Sequence, residues 1–210
     1  MQFTNLDFFK SLNIDETFFY NACNLPRHKM NGQIDDLEKS FMFSMIKKIR
    51  PNNILEFSTS WGYSTIIIAN AALAVNYEPE TLQTYEIDPF AFAHAIINLD
   101  EYGCKAHVVL GDVFEKMTIE DLNMADFLFV DSDHRKKFCE NYIKYFFPHL
   151  KSGCFVAVHD ICFNPINDET SLVKEFIEKN NIKKYLFVPD VLEYFQIKNT
   201  EINGTLWFQI

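Results

Sequence analysis

The stretch from Asn53 to Ala69, NILEFSTSWGYSTIIIA, is an apolar run carrying an acid, Glu56, then a short small-and-polar loop, then a second apolar run. It reads as a strand, a tight loop and a helix. The loop holds one glycine, Gly62, where a chain can bend and a ligand can approach the backbone, and Ser64 and Thr65 open the helix behind it. A ligand site at the carboxyl end of a first strand is the leading expectation.

Working outward, the same alternation repeats. Upstream, Asp35 to Ile49 has Leu37, Phe41, Met42, Met45, Ile46 and Ile49 at helical spacing, and Pro51 ends that helix. Downstream, strands are predicted at 82–87, 106–110, 126–130 and 154–158. Helices are predicted at 62–74, 90–102, from Asp112 to about Leu122, from Asp131 to about Leu150, and from about Glu169 to Lys179. Strands alternating with helices imply an α/β fold, a doubly wound and mostly parallel sheet with helices on both faces. The end differs: strands are expected at 185–188 and 205–210, with a further one at Glu193 to Ile197 and a turn at Asn203 and Gly204. No helix of useful length is predicted to part them, so at least one pair should be antiparallel. Residues 1–50, rich in phenylalanine, read as an N-terminal helical cap or lid, and 51–210 as the main domain.

Composition sets limits on function. The chain has 210 residues, 48% hydrophobic, enough for one large core, and a net charge of −10 that would repel phosphate backbones. A nucleic-acid role is therefore disfavoured against a small-molecule partner. No run approaches a membrane span, and the acid-bearing N-terminus is no signal peptide. Cys23, Cys104, Cys139, Cys154 and Cys162 are scattered and make no CxxC pair, which fits a reducing, cytoplasmic setting.

In a doubly wound sheet, ligands bind outside the carboxyl ends of the strands. Here those ends carry Glu56, Glu86, Asp112, Asp131 and the pair His159 and Asp160. An acid at the end of a second strand, such as Glu86, can accept hydrogen bonds from both hydroxyls of a ribose. A pyrophosphate-bearing cofactor needs a three-glycine loop, and this loop has only Gly62 beside Ser58, Ser60 and Trp61. NAD is disfavoured on that ground.

Taken together, ILEFSTSWGYST, YEIDP, LGD, FVDSDH and VAVHD resemble a class I S-adenosylmethionine-dependent methyltransferase, most of all the small catechol-type enzymes and those acting on sugars and natural products. The resemblance runs from about Gly32 to Ile161. It implies a seven-stranded Rossmann-like sheet and an O-methyltransferase for a small hydroxylated metabolite. It further implies cofactor contacts at Glu56, Ser58, Thr59, Gly62, Ser64, Glu86, Asp112 and Asp131, with Ser58 standing where the family usually has glycine. In metal-dependent members the positions matching Asp131, His159 and Asp160 ligate a divalent cation, magnesium or manganese. His159 is a departure there, since a carboxylate is usual. His134 is the alternative catalytic base, with Asp131 beside it, although His134 could instead be a helix-start residue capped by Asp133. Two rival readings stay open: a cofactor-binding module that has lost catalysis, and a metal-dependent oxygenase-like relative. Trp61 and the N-terminal phenylalanines are candidates for the acceptor pocket, and the latter equally for a homodimer surface.

Overall fold

The computed structural model describes residues 3–20, 34–162, 166–198 and 204–210. Cys23, His28 and Asn203, the first half of the expected final turn, lie outside them. The chain divides into two compact units, residues 16–118 and residues 1–15 with 119–210.

The chain opens with α1 (Leu6–Ser11), capped by the Asn5 side chain accepting from Phe8 N. In the first unit a 3-10 turn at Glu16–Phe19 precedes α2 (Asp36–Ile49), whose N-cap is Asp35 and whose C-cap Arg50 is left-handed at φ 48°. Phe19 stacks on Phe41 of α2, and Ser44 Oγ donates to the Phe18 carbonyl. β1 (Asn53–Phe57) is buried along its whole length, as a strand covered on both faces must be. α3 (Tyr63–Leu73) is apolar nearly all round because it too is enclosed, with α2 against it. β2 (Thr81–Glu86) leads to α4 (Pro89–Glu101), where Asp88 caps the helix and Pro89 fills its first turn. β3 (His107–Leu110) and α5 (Val113–Lys116) follow. β1 pairs parallel with β2, Phe57 opposite Tyr85, and β2 parallel with β3, Glu86 opposite Leu110.

The second unit takes α6 (Ile119–Met124), β4 (Phe127–Val130), α7 (Lys136–Tyr145), β5 (Phe155–Ile161), α8 (Asp168–Lys179), β6 (Tyr185–Phe187), α9 (Val188–Tyr194) and β7 (Gly204–Gln209). β4 and β5 are parallel, whereas β7 runs antiparallel to both β5 and β6. Phe127 stacks on Trp207, and Tyr142, Phe147 and Phe208 are buried with them. Each such side chain contributes about 1.5–3 kcal/mol by leaving water. α1 lies along β6, with Asn5 N donating to the Tyr185 carbonyl. The seven strands fall in the order β3-β2-β1-β4-β5-β7-β6.

Several expectations need correction. Glu193 to Ile197 is not a strand: Pro189 in a first turn and the buried Val188, Val191 and Leu192 make α9, which takes in Glu193 and Tyr194 and is followed by a turn, so a short helix does part β6 from β7. The helix expected after Asp112 breaks at Met117, which is extended, into α5 and α6. The helix expected directly after Asp131 starts only at Lys136 and ends at Tyr145, ahead of a 3-10 turn containing Pro148. His159 and Asp160, expected beyond the end of β5, lie within it.

Candidate active site

Two groups of polar residues form, one in each unit. In the first, the loop after β1 turns left-handed at Ser58 (φ 68°), Ser60 (φ 48°) and Gly62 (φ 84°). Alternating backbone hands of this kind bring successive amides to one side of a loop, as anion-binding nests do. Thr59 pins the loop, its amide donating to the Tyr85 carbonyl (2.9 Å) and its hydroxyl lying 2.7 Å from that of Thr84. Glu86 is 6% exposed, and its two oxygens accept separately from Ser60 N (2.7 Å) and Asp88 N (2.8 Å). Two amides thus orient the carboxylate while each oxygen keeps lone-pair capacity for a ligand hydroxyl. Asp112 caps α5 by accepting from Phe114 N at 2.9 Å. Beside Glu86, Ile87 is 68% exposed, and Leu110, opposite Glu86 on β3, is 43% exposed.

Glu56 and Ser64 are engaged with each other. Glu56 is fully buried and accepts from the Ser64 and Thr65 hydroxyls, which ties β1 to the first turn of α3. Trp61 stacks on His94 of α4, ring centroids 4.4 Å apart.

In the second group, β5 bulges between Val158 and Ile161, and Asp160 takes a left-handed φ of 56°. In a regular strand His159 and Asp160 would point to opposite faces; the bulge re-aims them. His159 Nδ1 lies 3.0 Å from Asp131 Oδ1 and 3.4 Å from Asp160 Oδ1. Asn167, the N-cap of α8, holds the Asp160 carbonyl at 3.1 Å. His134 reaches two carboxylates, with Nε2 3.4 Å from Asp160 Oδ2 and Nδ1 2.6 Å from Glu169 Oε2. The Glu169 hydrogen bond, with the further pull of Asp160 and Asp131, raises the imidazole above its ordinary pKa against the opposing effect of burial. Asp133 is occupied elsewhere: it accepts from the backbone and guanidinium of Arg135, which holds its carboxyl low, and Arg135 takes the N-cap position of α7.

Among the described residues, Asp131, His134 and Asp160 offer donor atoms all within 4.8 Å of one another. His159, predicted as a ligand, stands beside this grouping with Nδ1 3.0 Å from Asp131 Oδ1, and His134, predicted as a base, falls within it. Three electron-pair donors around one point suit a cation or a proton, and a mixed oxygen and imidazole set suits manganese, zinc or iron better than magnesium. Burial pushes the Cys104 thiol up to about 11 and that of Cys154 up to about 12, so neither is poised as a nucleophile.

Residues 55–161, just over half of the chain, match the profile of a family described as "Methyltransferase domain". The chain belongs to that methyltransferase family.

No curated protein matches it in sequence. Among solved structures, the methyltransferase is similar to an O-methyltransferase of Streptomyces achromogenes involved in tomaymycin synthesis, solved with SAM, at 19% identity and TM-score 0.60 over 98% of this chain and 96% of that one. An O-methyltransferase of Bacillus cereus solved with SAH gives 16% identity and TM-score 0.59 over 98% and 90%. Those likenesses fix the fold: a mostly parallel seven-stranded sheet of the Rossmann-like methyltransferase type. Two residues of the second group, Glu169 and Tyr142, were not foreseen. Glu169 lies 35 residues from His134 in sequence and reads as an ordinary first-turn acid, so no local pattern marks it.

Proposed function

We propose that this methyltransferase uses S-adenosylmethionine to methylate a hydroxyl of a small metabolite, a sugar, natural product or phenol, in the cytosol. The observation that carries the reading is His134, an imidazole held by Glu169 with its other nitrogen turned to Asp160. Methyl transfer from a sulfonium is an in-line displacement in which the acceptor oxygen approaches to about 3 Å and its proton must leave. In this reading Nε2 of His134 takes that proton as the new oxygen–carbon bond forms and the carbon–sulfur bond breaks. Asp160 and Glu169 then flank the imidazolium.

Residues 16–118 are assigned the donor. Glu86 would receive the ribose hydroxyls, Ile87 and Leu110 offer exposed apolar surface to a purine, and the amides of the 58–62 loop suit a carboxylate. Ser64 and Glu56 would then act from beneath, by fixing the loop to the strand.

A divalent cation fits the donor set of Asp131, His134 and Asp160, and would supply Lewis acidity that lowers the acceptor hydroxyl's pKa. That use of Nε2 excludes its use as the base. Chelation followed by readdition of magnesium or manganese separates the two: turnover unchanged by chelator assigns His134 to proton removal, and turnover lost and restored assigns it to the metal.

The whole reading is tested by calorimetry with S-adenosylmethionine and S-adenosylhomocysteine, then turnover on a panel of sugars and phenols. Glu86→Ala is expected to weaken cofactor binding about 100-fold, the worth of two hydrogen bonds to a charged group. His134→Ala should leave Kd within about twofold and slow transfer about 100-fold or more. Absence of binding by the wild type sinks the proposal.

A further inference from the structure

We propose that Glu169 is a positioning residue for His134, the carboxylate that fixes which imidazole nitrogen faces the reaction. The inference rests on the reading of His134 as the working imidazole. Glu169 and its neighbour Asp168 are both acids in the first turn of α8, where acids commonly face solvent and the helix dipole. Asp168 is exposed in that way, whereas Glu169 is 1% exposed. A buried carboxylate persists only where hydrogen bonds replace water, and Glu169 has one for each oxygen. Oε2 is 2.6 Å from His134 Nδ1 and Oε1 accepts from the Tyr142 hydroxyl at 2.7 Å.

With the Glu169 oxygen as acceptor, the proton of that 2.6 Å contact resides on Nδ1. The neutral tautomer is thereby set, and the Nε2 lone pair is left facing Asp160. Tyr142 is fully buried on α7 and Glu169 is borne on α8, and those two helices pack together. His134 itself precedes α7 in an irregular segment. Two helices therefore position an imidazole that its own loop would leave free to rotate, and a site held by regular elements is located more tightly than one held by a loop. Around this chain of contacts stand Asp131, Asp160 and the Cys139 thiol, all of which face the same imidazole or the same carboxylate. None of the three reaches Nδ1 at the distance that Glu169 does.

The test uses the full chain and two near-isosteric variants, Glu169→Gln and Tyr142→Phe, with nitrogen-15 NMR of the histidine rings and steady-state kinetics. The wild type is expected to show a far-downfield, slowly exchanging proton on Nδ1 of His134. In Glu169→Gln that resonance should move upfield and exchange faster. kcat should fall about 10- to 100-fold with KM for donor and acceptor unchanged, the usual size of an outer hydrogen-bond partner's effect. Tyr142→Phe should shift the same resonance less and lower kcat by a smaller factor. A wild type with Nε2 protonated and Nδ1 bare, or an Nδ1 resonance unaltered in Glu169→Gln, overturns the inference whatever the activity. Should the wild type transfer no methyl group to any acceptor, the functional reading fails by itself, and the Nδ1 signal still decides the role of Glu169.

Discussion

At the scale of single residues, Ser58 shows how a sequence departure is absorbed. A serine stands where the resemblance leads one to expect glycine, yet its backbone keeps a glycine's conformation at φ 68°. A side chain in that region costs roughly 1–2 kcal/mol, part of which glycine gives back through its freer unfolded chain. Ser58→Gly is therefore expected to raise the unfolding free energy by about 1 kcal/mol, measured by urea titration, without loss of cofactor affinity. A lower stability would show that the Ser58 hydroxyl makes a contact that outweighs the strain. Glu86 and Asp131 were legible because one ends and the other directly follows a recognisable strand. Glu169 was not, because its role depends on a partner 35 residues away, and burial of one acid beside an exposed one leaves no local trace. Glu56 and Ser64 were legible as a pair in one motif, but their direct bond, which turns both inward, needs the strand and helix to be seen together.

Among the elements, most strands and helices followed from periodicity, and the failures share a cause. Where the period is interrupted by a bulge, a proline or a short helix, tertiary packing decides, as in α9 and at His159 and Asp160. The β5 bulge is the element on which the second polar group depends, and it is held from α8. Asn167 donates to the Asp160 carbonyl at 3.1 Å while its own Oδ1 accepts from Thr170 N at 2.7 Å. One side chain thus caps a helix and braces the strained strand. Asn167→Ala should cost about 1 kcal/mol, as lost N-caps do, and lower turnover more than stability alone explains, because Asp160 loses its brace. Circular dichroism melts and turnover measured well below the melting temperature separate the two effects. Asn167→Asp, which retains the cap but cannot donate, should recover the stability and not the turnover.

For the molecule as a whole, the fold was legible because alternation of strand and helix leaves few topologies, whereas the fastening of the N-terminus was not. Residues 3–15 belong with the C-terminal unit, and one carboxylate takes two of the amides at their start: Oδ2 of Asp190, on α9, accepts from both Phe3 N (2.5 Å) and Thr4 N (2.7 Å). Burial raises the Asp190 pKa above 3.8, and the hydrogen bonds from Thr4 and Phe3 only partly offset it. A carboxyl that binds its proton more tightly folded than unfolded stabilises the fold at low pH. That contribution is lost as pH rises from the unfolded value through the raised folded one, leaving a constant cost at neutrality. Because both amides meet the same oxygen, asparagine can accept both through its carbonyl and carries no charge. Asp190→Asn is accordingly expected to equal or exceed the wild type in stability at pH 7, with a shallower change between pH 7 and pH 4.5 in urea titrations. Asp190→Ala removes the acceptor, leaves two partly buried amides unpaired, and should cost about 1–3 kcal/mol while opening the first residues to limited proteolysis. If asparagine proved as damaging as alanine, the charge itself would be the fastening, and burial would be the lesser influence on this carboxylate.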